Sequence, residues 1–174
     1  AVFARSISAM KEKRVAASAI LSGPGGRPAH AWDDSARERF IGALEDALYF
    51  AKISSYAQGM ALLRAASEAY GYGLNLAEIA RIWKGGCIIR AKLLDPIRAA
   101  FAQQPELDNL LLAPHIAPVV NETHAACRDV TSTAVRIGVP VPAFSASLSY
   151  VDSYRTARLP ANLIQAQGDY FGAH

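Results

Sequence analysis

Cysteine is scarce in this chain, which has only Cys87 and Cys127 in 174 residues. Two cysteines far apart in sequence make no disulfide framework, so a reduced, cytoplasmic setting is expected. Charge is also thin, at 19% of residues against 52% hydrophobic, a balance that excludes intrinsic disorder and calls for a large core. No apolar stretch has the uninterrupted length of a membrane helix, so no membrane partner is expected. The positive excess is only +3, with a pI near 9.0. That suits an anionic metabolite as well as a polyanion. Lys11, Lys13 and Arg14 form a small basic cluster without a recognisable binding motif, which argues against nucleic acid.

Cofactor signatures are missing too. The glycines of "GPGG" and "GYG" follow no strand and lack the G-x-G-x-x-G spacing. Neither a Walker loop nor a nucleophile elbow occurs. His124 and Cys127 stand one helical turn apart, but zinc needs at least three protein ligands and nothing adjacent supplies the others. No metal site is expected.

What is present reads as helix throughout, so the fold class is all-α, one domain over residues 1–174. Apolar residues from Val2 to Ile20 predict a helix over the first 21 or so positions, before the loop "SGPGGRPAHAWDD". The chain opens as though in the middle of a helix, which suggests a piece of a longer protein. Ser35 with Glu38 reads as a capping box opening a long central helix. Ile41, Leu44, Leu48, Ala51, Ser55, Gln58, Leu62, Ala65 and Ala69 keep a three-four spacing along one face. Between Lys52 and Arg64 this helix is uncharged on all sides, as fits a bundle interior or a surface shared with a partner chain. Gly71 and Gly73 end it. Asn75 with Glu78 opens a further helix, Gly85–Gly86 breaks it, and Asp95–Pro96 restarts one. A helix is expected over 115–137, kinked at Pro118 and stopped by Gly138. Another runs through "SLSYVDSYRTAR", and a tail helix follows Pro160.

Chemistry-bearing residues are few. Arg90 reads as an ion-paired arginine tying helices together. Arg5 reads either as a solvated helix charge or as an anion contact, and composition does not choose. The tail, 159–174, ends in Tyr170, Phe171 and His174. Exposed aromatic area of that size wants a surface to dock on, and a docked anchor would hold His174 where it can donate to a phosphate or carboxylate.

The stretches "YAQGMALLRAA", "GGCIIRA", "IGVPVPAF" and above all "LPANLIQAQGDYFGAH" resemble the 6-phosphogluconate dehydrogenase family, over essentially the whole chain. The likeness is to that family's all-helical C-terminal domain, which a nucleotide-binding domain normally precedes and which is absent here. The resemblance implies an enzyme that oxidises and decarboxylates 6-phospho-D-gluconate to ribulose 5-phosphate with NADP, in the pentose phosphate pathway. It implies a homodimer in which each tail enters the partner's substrate site. Arg5, in "AVFAR", corresponds to the arginine that holds the substrate phosphate, and His174, in "YFGAH", to the tail histidine that reaches substrate. The family's lysine base and glutamate acid lie upstream of Ala1, so this chain alone is expected to be inactive, with NADP held mainly by the absent domain.

Four departures accompany the likeness. Gly168 stands where the family's tail has a second phosphate-binding arginine, so either phosphate binding weakens or another cation, Arg155 or Arg158, substitutes. Cys127 replaces a tryptophan and Lys84 an arginine, both without bearing on chemistry. The family's pattern also runs on past the histidine. The competing expectation is a helical dimerisation module that no longer binds substrate, which Gly168 would permit.

Overall fold

The computed structural model describes residues 2–24, 32–86 and 91–172, and within them every regular element is helical. The order is α1 (Val2–Ala9), α2 (Lys11–Ser18), α3 (Asp34–Tyr70), α4 (Leu76–Lys84), α5 (Leu94–Gln103), a 3₁₀ turn (Leu110–Leu112), α6 (Ala117–Arg136), α7 (Pro142–Arg155) and α8 (Asn162–Tyr170). Among the described residues no helix is long and apolar enough to cross a membrane.

The 37-residue α3 is the spine, packed against α6, α7, α4 and the 3₁₀ turn, while α4 and α5 pair as a hairpin. Its buried face is Ala47, Phe50, Ile53, Ser54, Ala57 and Met60. This differs from the face that the spacing picked out. Ile41, Leu48, Ser55, Gln58, Leu62, Ala65 and Ala69 are exposed, and of that row only Ala51 is buried. A helix apolar on every side carries no periodicity that ranks its faces, and contact with α6 and α7 makes the choice. Phe50, Ile53 and Met60 meet Leu94, Ile97, Leu110, Cys127 and Val130 in one core. Each such side chain contributes about 1.5–3 kcal/mol through burial. Two buried polar groups are satisfied inside it. The Asn109 amide donates to the Tyr150 hydroxyl at 2.7 Å, and its carbonyl oxygen accepts from the Leu111 N–H at 3.0 Å.

Local signals fared unevenly. Asn75 caps α4 as expected, accepting from the Glu78 N–H at 3.1 Å. The cap of α3 is Asp33, which accepts from the Ala36 N–H at 2.6 Å, while Ser35 is inside the helix and receives a hydrogen bond from Arg39. The expected first helix is two helices, broken at Met10 (φ −86°, ψ 53°). Pro118 does not kink a helix. It sits in the first turn of α6, where its missing N–H costs nothing. Arg90 and Cys87 lie outside the described residues.

One turn fixes the N-terminal segment to this body. Gly138, at φ +74°, stops α6, and a Cβ there would stand 3.0 Å from Cγ of Pro24. Gly138→Ala is therefore expected to cost about 1–2 kcal/mol, from left-handed strain plus the clash. Thermal unfolding followed by circular dichroism should fall by a few degrees in a domain of this size. The same change at Gly42, in the exposed interior of α3 with no neighbouring atom near the new Cβ, should raise stability by up to about 1 kcal/mol. Equal shifts at both positions would refute the turn argument.

Candidate functional site

Two segments stand off the core, and they carry the residues singled out in the sequence. None of the residues of α1, α2 or α8 is buried. In α1, Phe3 and Ile7 recur at helical spacing on one side. That side faces the Pro140–Pro142 turn and Ser145 of α7 across an open groove of about 560 Å³. Arg5, two residues from both Phe3 and Ile7, is on the opposite side of α1 and is exposed. It has no ion pair or hydrogen bond among the described residues.

Past the break at Met10 the chain turns back on itself. The Arg14 guanidinium donates to the Ser8 carbonyl at 3.1 Å, closing the C-terminal end of α1. A cation in that position also complements the negative end of the helix.

The tail was expected to dock its aromatics, and within this chain it does not. Tyr170 and Phe171 are 86% and 75% exposed and contact each other edge to face at 5.7 Å, while Leu163 and Ile164 are also bare. The helix is internally held by Gln165 donating to Asp169 at 2.9 Å. His174 lies outside the described residues, so Arg5 and His174 are not brought together here. A side chain at Gly168 would meet no atom within 4 Å.

A second apolar groove, about 620 Å³, opens on the body where α3, α4 and α7 converge, with Leu48, Tyr56, Trp83 and Phe144 as walls and Lys52 at the side. It was not legible in sequence, since its walls come from three distant segments. Trp83 and Phe144 gave no local signal beyond aromatic character. Beside it runs Lys84, which joins Asp95 at 2.7 Å and so ties the end of α4 to the start of α5.

The cations suggested as substitutes at position 168 have different standing. Arg155 is taken up by Asp152 at 3.0 Å, and Asp152 also receives Arg128 at 2.7 Å. These two donors, Arg128 foremost, hold the Asp152 carboxyl below its usual range. Arg155 is thus a structural partner at the end of α7, whereas Arg158 is exposed without a partner among the described residues. Cys127 is fully buried and free, and burial pushes its thiol up, so it belongs to the core. The described residues contain no group of three or more potential metal ligands.

The described residues form a helical body with an exposed basic N-terminal elbow, open apolar grooves and an undocked aromatic tail. Comparison with known proteins identifies the domain. The family model for "6-phosphogluconate dehydrogenase, C-terminal domain" matches residues 1–174. The chain belongs to the 6-phosphogluconate dehydrogenase family. It is 54% identical over 173 residues to the decarboxylating 6-phosphogluconate dehydrogenase of Escherichia coli, covering 99% of this chain and 36% of that protein. It is 56% identical over 173 residues to the NADP(+)-dependent, decarboxylating enzyme of Bacillus subtilis, with the same coverages. Among solved structures, the 6-phosphogluconate dehydrogenase of Plasmodium falciparum superposes with a TM-score of 0.88 at 41% identity, covering 98% of this chain and 36% of that one. That protein is described in its apo form, with NADP+ and with 6-phosphogluconate. The chain thus spans about a third of the length of the relatives it matches.

Proposed function

We propose that this chain is the substrate-binding and dimerisation domain of an NADP-dependent 6-phosphogluconate dehydrogenase, which oxidatively decarboxylates 6-phospho-D-gluconate to ribulose 5-phosphate. The observation that carries it is the family match over residues 1–174, together with the "LPANLIQAQGDYFGAH" tail. In this reading Arg5 grips the substrate phosphate with its forked N–H donors, a charge-assisted contact that gains strength once the site is covered. His174 donates to substrate from the tail of a second copy. The undocked Leu163, Ile164, Tyr170 and Phe171, and the open groove on α3, α4 and α7, support a homodimer with exchanged tails, since each is apolar surface that association would bury. NADP supplies the hydride acceptor. The described residues do not fit a dinucleotide, having neither a strand–turn–helix unit nor a glycine-rich loop, so this domain binds and orients the sugar phosphate only. The setting is cytoplasmic.

Gly168 favours a second reading, a dimerisation module without substrate affinity. A calorimetric titration of this chain with 6-phosphogluconate, gluconate serving as control, separates the two. Phosphate-dependent binding that Arg5→Ala weakens more than tenfold is the expected result. Absence of heat with either ligand would leave a scaffold.

A further inference from the structure

The longest surface left without a partner is the outer face of α3. The row from Ile41 to Ala69 alternates at three and four residues, and of it only Ala51 is buried. The helix is unbroken over this row, which runs for about 42 Å. An alternation kept up over about four heptads is the pattern of a helix–helix seam. The polar members of the seam are already satisfied within their own helix. The Ser55 hydroxyl donates to the Ala51 carbonyl at 2.8 Å and the Gln58 amide to the Ser54 carbonyl at 3.3 Å. Covering the seam therefore leaves neither group without a partner.

The seam is uneven, and in one orientation it fits itself. Large side chains stand early, at Ile41, Leu44 and Leu48, and small ones late, at Ala65 and Ala69. Laid antiparallel against a second copy, Leu44 meets Ala69, Leu48 meets Ala65, Ala51 meets Leu62 and Ser55 meets Gln58. Every layer then pairs a larger with a smaller residue. Parallel in-register pairing would crowd leucines at one end and leave a gap over the alanines at the other. The layer of Ala51 and Leu62 also matches in depth. Ala51 is 7% exposed on the floor of the groove between Trp83 and Phe144, while Leu62 is 70% exposed. Glu45 and Lys52 on one border fall beside Ala66 and Gly59 of the copy, and Glu68 on the other beside Ala47, so no like charges meet.

We propose that α3 is the two-fold dimerisation helix of this domain, paired antiparallel with α3 of a second copy so that Leu62 of each enters the groove of the other at Ala51. This rests on the homodimer of the reading above and names the surface that forms it. Substrate binding does not depend on it.

Light scattering on this chain should show a dimer at micromolar concentration. Leu48→Glu should raise the dimer dissociation constant at least about a hundredfold with helical circular dichroism unchanged, because the seam then buries unpaired carboxylates. Leu112→Glu, at an equally exposed position in the 3₁₀ turn off the seam, should leave the dimer intact. Ala65→Lys should weaken the dimer alone and restore it when mixed with Leu48→Glu, since carboxylate and ammonium then share a layer. Leu62→Glu repeats the first variant at another exposed seam position should Leu48→Glu lose helicity. A parent dimer that Leu48→Glu leaves intact would overturn the proposal while the homodimer of the reading stands on another surface. Dissociation by Leu48→Glu without rescue by Ala65→Lys would overturn the antiparallel register, and with it the proposal. A monomeric parent would overturn the proposal and the homodimer together and leave the seam to a different segment, with 6-phosphogluconate binding still open to the calorimetric test.

Discussion

Mixing two inactive subunits should restore roughly a quarter of the activity of the parent dehydrogenase, provided the tails are exchanged in a symmetric dimer. One subunit lacks residues 159–174 but keeps Arg5, and the other keeps its tail but carries Arg5→Ala. Each homodimer is expected to be at least a hundredfold impaired, the first for want of a tail and the second for want of the phosphate grip. After random reassortment about half of the dimers are mixed, and each mixed dimer has one intact site, formed by Arg5 of the truncated subunit and the tail of the other. The structural basis is that α8 contributes no buried residue to its own chain, so removing it leaves the core of Phe50, Ile53, Met60 and Leu110 in place. Helical circular dichroism of the truncated subunit should therefore persist. The tail instead carries Leu163, Ile164, Tyr170 and Phe171 bare, area whose burial contributes about 1.5–3 kcal/mol for each large side chain covered. Tails that docked in cis would give no recovery on mixing, whatever the ratio. That outcome would remove tail exchange while leaving substrate binding untouched. Light scattering on the same samples checks the premise, since a monomer at micromolar concentration would remove the dimer itself.

The sequence and the fold agree where the signal is local. Asn75, three residues before Glu78 and ahead of an apolar run, caps α4, and Gly71 and Gly138 mark helix ends because both sit at positive φ. Agreement fails where the deciding partner is remote. The exposed row through Ile41, Leu48 and Leu62 and the buried row through Phe50, Ile53 and Met60 are equally apolar, and only the approach of α6 and α7 ranks them. The groove under Trp83 and Phe144 is assembled from three segments and has no signature in any of them. The break at Met10 is a third case. Neither proline nor glycine announces it, and the contact that holds the elbow comes from Arg14 folding back onto Ser8. Function was legible chiefly through the tail motif. Arg5 alone, read as chemistry, was an undecided exposed cation, and it remains exposed in the fold.

Restoring an arginine in the tail tests how the phosphate is held. Gly168→Arg is expected to tighten binding of 6-phosphogluconate by about 10–100-fold, the range of one desolvated charge-assisted contact at roughly 1.5–3 kcal/mol. Nothing stands within 4 Å of a Cβ at this position, so the side chain enters without displacing a neighbour. The backbone also gains, because glycine inside α8 costs about 1 kcal/mol relative to a good helix former. Gluconate separates these contributions. A firmer helix that holds the tail in place improves both ligands alike, whereas a phosphate contact improves only 6-phosphogluconate. Equal gains for the two ligands would place position 168 away from the phosphate.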